Sequence, residues 1–244
     1  MYKLLYSIFF GCFLLTVGLT QEAIVANYKF YDKLPIFNEP KIYDAQLIVI
    51  NDDESYYTTI LNTTDNLNAN FNDQIVFENQ DFVYQLLKQN KKFYTHDLLQ
   101  RKKYFFEENI PEIVYKYMDD TKLLNNIILH KAFTTFRGRE YILWFEKGDI
   151  NISPWKFSGI NGIVHEAYST DGKARWELVD IAQTKEKFKN PFPKEALFLP
   201  YELYPEKAYA IPEALKRKLA KNPNNRLTEQ ERNQLEIEFD FEKK

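Results

Sequence analysis

The sequence predicts a mainly β protein: a curved antiparallel sheet, half-barrel or sandwich-like, followed by a short helical C-terminal tail. Short runs rich in Tyr, Phe, Ile and Val recur about every 8–12 residues between polar turns, which is typical of antiparallel architectures. Asp171-Gly172 supplies the positive φ angles that a tight hairpin turn needs. Clear helix-start signals occur only after residue 200. The 20 Phe and 17 Tyr residues also favour strands.

The first predicted strand is Ala45–Ile50, an apolar run that ends at an Asn/Asp-rich turn. Further strands are predicted at Phe82–Leu87, Lys92–Leu99, Lys103–Glu107, Glu112–Met118, Asn126–Thr135 and Arg139–Phe145. The clearest hairpin joins Ile163–Tyr168 to Ala174–Val179. Because side chains alternate along a strand, Trp176 and Leu178 share one face and Arg175 and Glu177 the other. One face of the sheet is therefore predicted to be dry.

The last part of the chain, residues 201–244, is predicted to be a helical tail packed on the β-rich domain or extending from it. Pro212–Ala220 has a proline in its first turn and then strong helix formers. A break at Asn222–Asn225 follows, and Thr228–Glu231 is a capping box that opens a second short helix.

The start of the chain is predicted to be a cleaved signal peptide over residues 1–20. Lys3 precedes an apolar run from Leu4 to Leu19, the charged-then-apolar pattern of a secretory leader. This run is shorter than the roughly 20 residues that a spanning helix needs, so we expect no transmembrane span in the mature chain. The single cysteine, Cys12, lies inside the leader. The β-rich domain is then predicted to cover residues 21–200, in a periplasmic or secreted protein.

Composition excludes one large class of partner. The formal net charge is −3, and a nucleic-acid-binding protein should show a basic surplus. We therefore expect no nucleic-acid partner.

One ordered run of motifs lies between residues 123 and 181. It consists of Lys131-Ala132, Thr134–Arg139, Trp144-Phe145, Ser153–Phe157, Gly159–Val164 and an acidic hairpin containing Asp171-Gly172. The run resembles the GLPGLI family, a group of exported proteins of Bacteroidetes-type bacteria. In the name-giving hexapeptide this chain has Ile160-Asn161 where members have Leu-Pro. The resemblance implies export and an outer-membrane or other envelope protein as partner, and it carries no established activity.

The candidate binding residues come from the same run. Gly159 and Gly162 free the backbone to take unusual φ/ψ values beside Trp155 and Phe157. We favour a crossover that packs these aromatic side chains into the core, and the alternative is a recognition loop that presents them at a groove mouth. Arg137 and Arg139 could hold a carboxylate or phosphate, but pairing with acids on neighbouring strands is the preferred interpretation.

No catalytic or metal-binding constellation is recognised, and we expect neither a cofactor nor a metal. His165-Glu166 begins like a zinc-protease motif, but Ser169 stands where the second histidine is required. The preferred hypothesis is a non-enzymatic binding or interaction protein of the envelope, with an apolar ligand, a peptide or an envelope protein on an aromatic face. The alternatives are a structural subunit that pairs through a strand edge, and a hydrolase that uses His165, Glu166 or Asp171.

Overall fold

The computed structural model describes residues 23–33, 41–61, 84–99, 102–185, 188–209, 232 and 234–243. The predicted signal peptide and the two predicted C-terminal helices lie outside these residues. In the part of the chain that is described, no helix is long and apolar enough to cross a membrane.

Strands account for most of the described chain. They are β1 Ala23–Asp32, β2 Lys41–Asn51, β3 Glu54–Leu61, β4 Gln85–Gln89, β5 Lys92–Leu99, β6 Lys102–Asn109, β7 Lys116–Leu124, β8 Ile127–Phe136, β9 Arg139–Lys147, β10 Asn151–Ile152, β11 Gly162–Ser169, β12 Ala174–Thr184 and β13 Phe198–Pro200. A 3₁₀ turn at Tyr201–Leu203 leads into the short helix α1, Tyr204–Tyr209, and a second 3₁₀ turn spans Asp240–Glu242.

The strands form one large, curved and unclosed sheet. Its order is β13-β6-β5-β4-β3-β2-β1-β12-β11-β9-β8-β7, with β10 paired to β11 beside this path. Neighbours are antiparallel except for β13 with β6 and β10 with β11. The two halves of the sheet are joined by β1, which pairs with β12 along the whole of Ala23–Asp32. The predicted fold class is therefore confirmed, in its half-barrel form.

Most predicted strands match observed ones, and the differences have local causes. The prediction at Lys92–Leu99 agrees with β5, whereas the strand predicted at Glu112–Met118 begins only at Lys116. The central strand β1 was not predicted. Its second half alternates inward-facing residues with polar ones such as Asn27 and Lys29, so its continuous apolar run, Ala23–Ala26, is only four residues long.

The concave face of the sheet surrounds Ser153–Ile160, here called the interior segment. Trp155 stacks on Trp176 of β12 with ring centroids 5.6 Å apart, and Phe157 meets Tyr141 of β9 edge-on at 4.9 Å. Ile160 and Trp176 are fully buried. Aromatic residues of the motif run thus lie inside the curved sheet and form part of its core.

A second, smaller core fixes the C-terminal part of the chain to the sheet. Tyr201, Tyr204 and Phe239 pack against Leu99 of β5 and Phe106 of β6. Residues Gln234–Phe239, here called the C-terminal segment, also hydrogen bond with the β8–β9 turn: the amides of Ile237 and Glu238 donate to the Arg137 carbonyl over 3.0 and 3.2 Å. Gly138 in this turn lies so close to the segment that a Cβ would be 2.7 Å from Ile237 Cγ1. The sheet, the interior segment and the C-terminal segment are therefore packed in layers.

Candidate binding cavity

A cavity of about 240 Å³ remains where the C-terminal segment crosses the concave face. One wall comes from β1, β2, β3 and β5, together with Tyr84 just before β4. The floor is formed by Trp155 and Trp176, and the opposite wall by Tyr201, Tyr204 and Gln234–Glu236. Asp32, Tyr43, Asp97 and Gln234 are partly exposed, so the cavity is in contact with solvent on the side of these residues.

Aromatic rings make up most of the lining. Eight of the described lining residues are aromatic: Phe30, Tyr43, Tyr57, Tyr84, Trp155, Trp176, Tyr201 and Tyr204. Several are held by one another, because Phe30 stacks on Trp176 at 4.7 Å and Tyr201 stacks on Tyr204 at 4.9 Å. The Trp176 indole donates a hydrogen bond to the Tyr57 hydroxyl over 3.0 Å. The rings are therefore preorganised, and their orientations do not depend on a ligand.

Three carboxylates, Asp32, Asp97 and Glu236, line the same cavity. Asp97 lies on β5 and accepts a hydrogen bond of 2.9 Å from the Tyr204 hydroxyl. Burial raises the pKa of Asp97 above its usual range, although the bonds from Tyr204 and the Leu98 amide act in the opposite direction. Within the described residues no cationic side chain forms an ion pair with Asp97.

Glu236 differs from Asp97 because it belongs to a compensated charge cluster. Lys156 Nζ lies 2.7 Å from Glu108 Oε2 and 2.6 Å from Glu236 Oε1. Arg137 pairs with Glu108 through Nη2, and its Nε lies 3.1 Å from Glu236 Oε2. The two cations balance the two anions, and the four side chains are at most 8 % exposed. The cluster ties the interior segment, the β8–β9 turn, β6 and the C-terminal segment together.

Lys156 is the most deeply buried member of this cluster. Its side chain is fully buried, and Nζ lies 4.0 Å from the centroid of the Tyr201 ring. Burial lowers the pKa of Lys156 to about 8, although Glu236 raises it. At neutral pH the ammonium form therefore still predominates, and Lys156 provides one of the two positive charges that the carboxylates need.

The six candidate residues from the sequence fall in different places. Trp155 lines the cavity, and Arg137 contacts Glu236 from behind it. Arg139 pairs with Asp171 in the β11–β12 turn and donates to the Gln234 carbonyl over 2.8 Å. Both arginines thus pair with acids, but Glu108 comes from the far half of the sheet and Asp171 from a turn, and neither acid lies on a strand next to the arginine. Phe157 is 2 % exposed and lies in the core.

The two glycines of the motif run, Gly159 and Gly162, have backbone roles. Gly162 opens β11 with φ +146°, and a Cβ there would lie 2.0 Å from the backbone oxygen of Glu146. Gly159 has φ +88° and lies near the Tyr115 ring. Since a side chain at Gly162 would collide with the backbone of β9, this position serves the close approach of two strands.

The residues of the hydrolase hypothesis are held by separate partners. His165 Nε2 lies 3.4 Å from Glu146 Oε2, and Glu166 pairs with Lys122 at 2.7 Å. Asp171 pairs with Arg139, and its pKa is lowered despite its partial burial, by hydrogen bonds from Ser169 and the Lys173 amide together with the charges of Arg139 and Lys173. None of the three lines the cavity.

Most of the cavity could not be found from the sequence. Asp97 and Glu236 are isolated acids in strand-like and tail-like contexts, and only the fold brings them to the same space. The one local signal is the aromatic spacing in Tyr201-Glu202-Leu203-Tyr204, which places two tyrosines one turn apart. The helical interpretation of the tail gave these tyrosines no role.

Comparison with known proteins leaves the family open. No family model matches the sequence, and no curated protein matches it, so the GLPGLI resemblance stays a prediction. Among solved structures, PNGF-II is 13% identical with a TM-score of 0.44 over 73% of this chain and 31% of that chain. The chain thus spans about a third of PNGF-II.

Two bacterial structures are also similar over most of their own length. A putative outer membrane lipoprotein-sorting protein domain from Vibrio parahaemolyticus is 8% identical, with a TM-score of 0.33 over 67% of this chain and 86% of that chain. A LolA superfamily protein from Nitrosomonas europaea is 8% identical, with a TM-score of 0.31 over 75% and 90%. Likenesses this low support no conclusion about function.

Proposed function

We propose that this chain is an exported, non-enzymatic binding protein of the bacterial envelope that holds a small ligand in the aromatic cavity. The observation that carries the proposal is a solvent-connected space lined by eight aromatic rings and by Asp97, whose charge has no ionic partner within the described residues. Concave, mainly apolar sites with a few polar groups are where proteins bind small molecules. Export rests on the predicted signal peptide and on the GLPGLI resemblance.

The carboxylates in the cavity argue for a ligand that is not purely apolar. A purely apolar ligand would have to bury the carboxylate of Asp97, which forms no ion pair within the described residues, and this is unfavourable. The proposed ligand is therefore one with both apolar and polar parts. An envelope protein that delivers or receives this ligand remains part of the proposal, on the strength of the resemblance.

Tryptophan fluorescence gives a direct test, because the three tryptophans occupy two environments. Trp155 and Trp176 line the cavity, whereas Trp144 lies beside Lys122 and Lys131 at 4.7 and 5.7 Å. In a Trp144→Phe variant the emission comes only from the two cavity tryptophans. A panel of small polar, charged and amphipathic compounds would be screened for a change in this emission together with a raised melting temperature.

Binding without turnover is the expected result. A compound that changes the emission should be recovered unaltered, as judged by mass spectrometry after long incubation with the protein. Chemical conversion of the bound compound would refute the non-enzymatic part of the proposal. A panel in which no compound changes either signal would refute the binding function itself.

A second candidate, pairing with a partner sheet, is favoured by β7. This strand ends the sheet within the described residues, and Tyr117 and Leu123 on it are 56% and 68% exposed. However, the β7–β8 register shifts between Met118 and Thr121, which leaves Asp119 and Asp120 unmatched. Bulges and charges of this kind protect edge strands from pairing, so this candidate ranks second.

A further inference from the structure

We propose that the ligand of the cavity is a small organic cation, held by Asp97 between aromatic faces. This inference rests on the proposed function and names the chemical class of its ligand. It is carried by the sign of the charges in the cavity, by the kind of surface that surrounds them and by the size of the space.

The charged side chains in the described lining of the cavity all have the same sign. Its described lining includes Asp32, Asp97 and Glu236 but no lysine, arginine or histidine. Glu236 is balanced from behind by Lys156 and Arg137. Asp32 lies opposite Lys41 in the β1–β2 pairing, and the two charges attract one another.

Asp97 is the exception. Its carboxylate has the neutral Tyr204 hydroxyl as its side-chain partner at 2.9 Å. A charged group in a partly desolvated site is unfavourable unless an opposite charge is present. A ligand that brings a positive charge would supply what the described protein groups do not.

The surrounding surface suits the same ligand. The faces of Tyr and Trp rings carry negative potential, so they attract organic cations, and aromatic cages recognise ammonium groups in this way. In this cavity Tyr57, Tyr84 and Trp155 lie in the same lining as Asp97, whereas the Trp176 ring is already stacked on Phe30 and Trp155. A neutral polar ligand such as a sugar could also stack on these rings, but it would leave the charge of Asp97 uncompensated.

The available space limits the size of the ligand. The cavity of about 240 Å³ lies just below the roughly 300–1,000 Å³ of typical small-molecule sites. A compact ammonium compound fits this range better than a lipid or a peptide. Choline is therefore a suitable probe, because it is small and its charge does not depend on pH.

The experiment compares choline with its uncharged isostere, in which a carbon atom replaces the quaternary nitrogen. Both would be titrated into the purified protein by calorimetry and by the emission of the Trp144→Phe variant, at constant ionic strength. The two probes have the same shape, so a difference in affinity reports the charge. We expect choline to bind at least ~10-fold more tightly, which is the order of a desolvated cation–π contact with an added ionic bond.

Two matched variants test whether the Asp97 carboxylate is the group that binds the positive charge of choline. Asp97→Asn should weaken choline binding by ~10-fold or more and leave the isostere unchanged, since only the charged probe uses the carboxylate. Asp119→Asn removes the same charge from the exposed β7 strand and should change neither affinity. Should Asp97→Asn fail to fold, the comparison of the two probes on the unaltered protein still decides the question.

The possible failures can be told apart. Equal affinity for choline and its isostere, or binding of uncharged sugars alone, would overturn the cation inference and leave the proposed binding function in place. If no probe, charged or uncharged, gave a signal in calorimetry or in fluorescence, both the cation inference and the proposed binding function would be overturned.

Discussion

Of the three glycines Gly148, Gly162 and Gly172, Gly162 is the one at which adding a single carbon atom should lower the stability of the fold most. Gly162→Ala places a Cβ 2.0 Å from the Glu146 oxygen and 3.0 Å from the Glu146 carbonyl carbon. Both atoms belong to the backbone of β9, which pairs with β11 at this point, so they cannot move aside without breaking the pairing. The residue also has φ +146°, a conformation that costs a non-glycine residue about 1–3 kcal/mol.

The expected loss follows from these two terms. Overpacking against a fixed backbone costs about 1–3 kcal/mol, and with the conformational term the free energy of unfolding should fall by about 2–6 kcal/mol. Two other glycines separate the contributions. Gly172 has φ +70° with nothing within 4 Å, so Gly172→Ala should cost only about 1–2 kcal/mol. Gly148 has neither a positive φ nor a close neighbour, and Gly148→Ala should be within about 1 kcal/mol of the unaltered protein.

The assay is urea unfolding of the three variants, followed by far-ultraviolet circular dichroism and by tryptophan fluorescence. Gly148→Ala should be the most stable of the three variants, Gly172→Ala should be less stable, and Gly162→Ala should be the least stable. A Gly162→Ala variant no less stable than Gly172→Ala would show that β9 and β11 can separate at little cost, and would refute the close-approach argument.

Three further substitutions test the cavity and the C-terminal segment. Asp97→Asn should raise stability by about 0.5–2 kcal/mol at neutral pH, because burial raises the pKa of this carboxyl and thus disfavours its charged form. The gain should vanish as pH falls below the usual pKa of 3.8, because folded and unfolded chains then both carry the proton. Tyr57→Phe should cost about 1–3 kcal/mol in urea unfolding, since it leaves the buried Trp176 indole without its acceptor. Arg139→Ala should increase amide hydrogen exchange at Ile237 and Glu238, because the C-terminal segment loses an anchor.

The predictions for Asp97→Asn and Arg139→Ala each have a matched control. Asp119→Asn should leave the pH dependence of stability unchanged, because this residue is exposed. Arg175→Ala removes an arginine whose side chain is 53% exposed, and it should leave exchange at Ile237 as it is. A gain for Asp97→Asn that persists at low pH would mean that its effect is not electrostatic. Unchanged stability of Tyr57→Phe, or unchanged exchange in Arg139→Ala, would contradict the corresponding contact.

The sheet was largely predictable from the sequence because strand signals are local. Runs such as Lys92–Leu99, and the Asp171-Gly172 turn, depend on alternation and turn chemistry within a few residues. β1 was missed because polar residues such as Asn27 and Lys29 interrupt its second half, and its place at the centre of the sheet is set by β2 and β12. The start of β7 was placed too early, since the apolar residues Ile113 and Tyr115 pack against the core without joining a strand.

The cavity was not predictable from the sequence, because no local signal marks it. Its lining comes from positions far apart in the chain, such as Tyr57, Asp97, Trp155 and Glu236, and no local pattern marks them as neighbours. Arg137 and Arg139 stood out because two charges flank a glycine, but that pattern does not show which acids they meet. Their positions follow from the path of the C-terminal segment, which crosses the β8–β9 turn. The sequence thus predicted most strands of the sheet, whereas the residues of the cavity could be identified only from the tertiary structure.

The buried charges of this protein differ in whether they have a charged partner within the described residues. In the cluster of Glu108, Arg137, Lys156 and Glu236 each charge has a partner, so removing any one would leave another uncompensated. Asp97 has the reverse arrangement, because burial raises its pKa and thus disfavours its charged form. A bound cation would offset that cost, and at 100 times its dissociation constant any ligand adds about 2.7 kcal/mol of stability. The unaltered protein with choline and the Asp97→Asn variant without it should therefore both be more stable than the empty unaltered protein, and the variant should gain much less from choline.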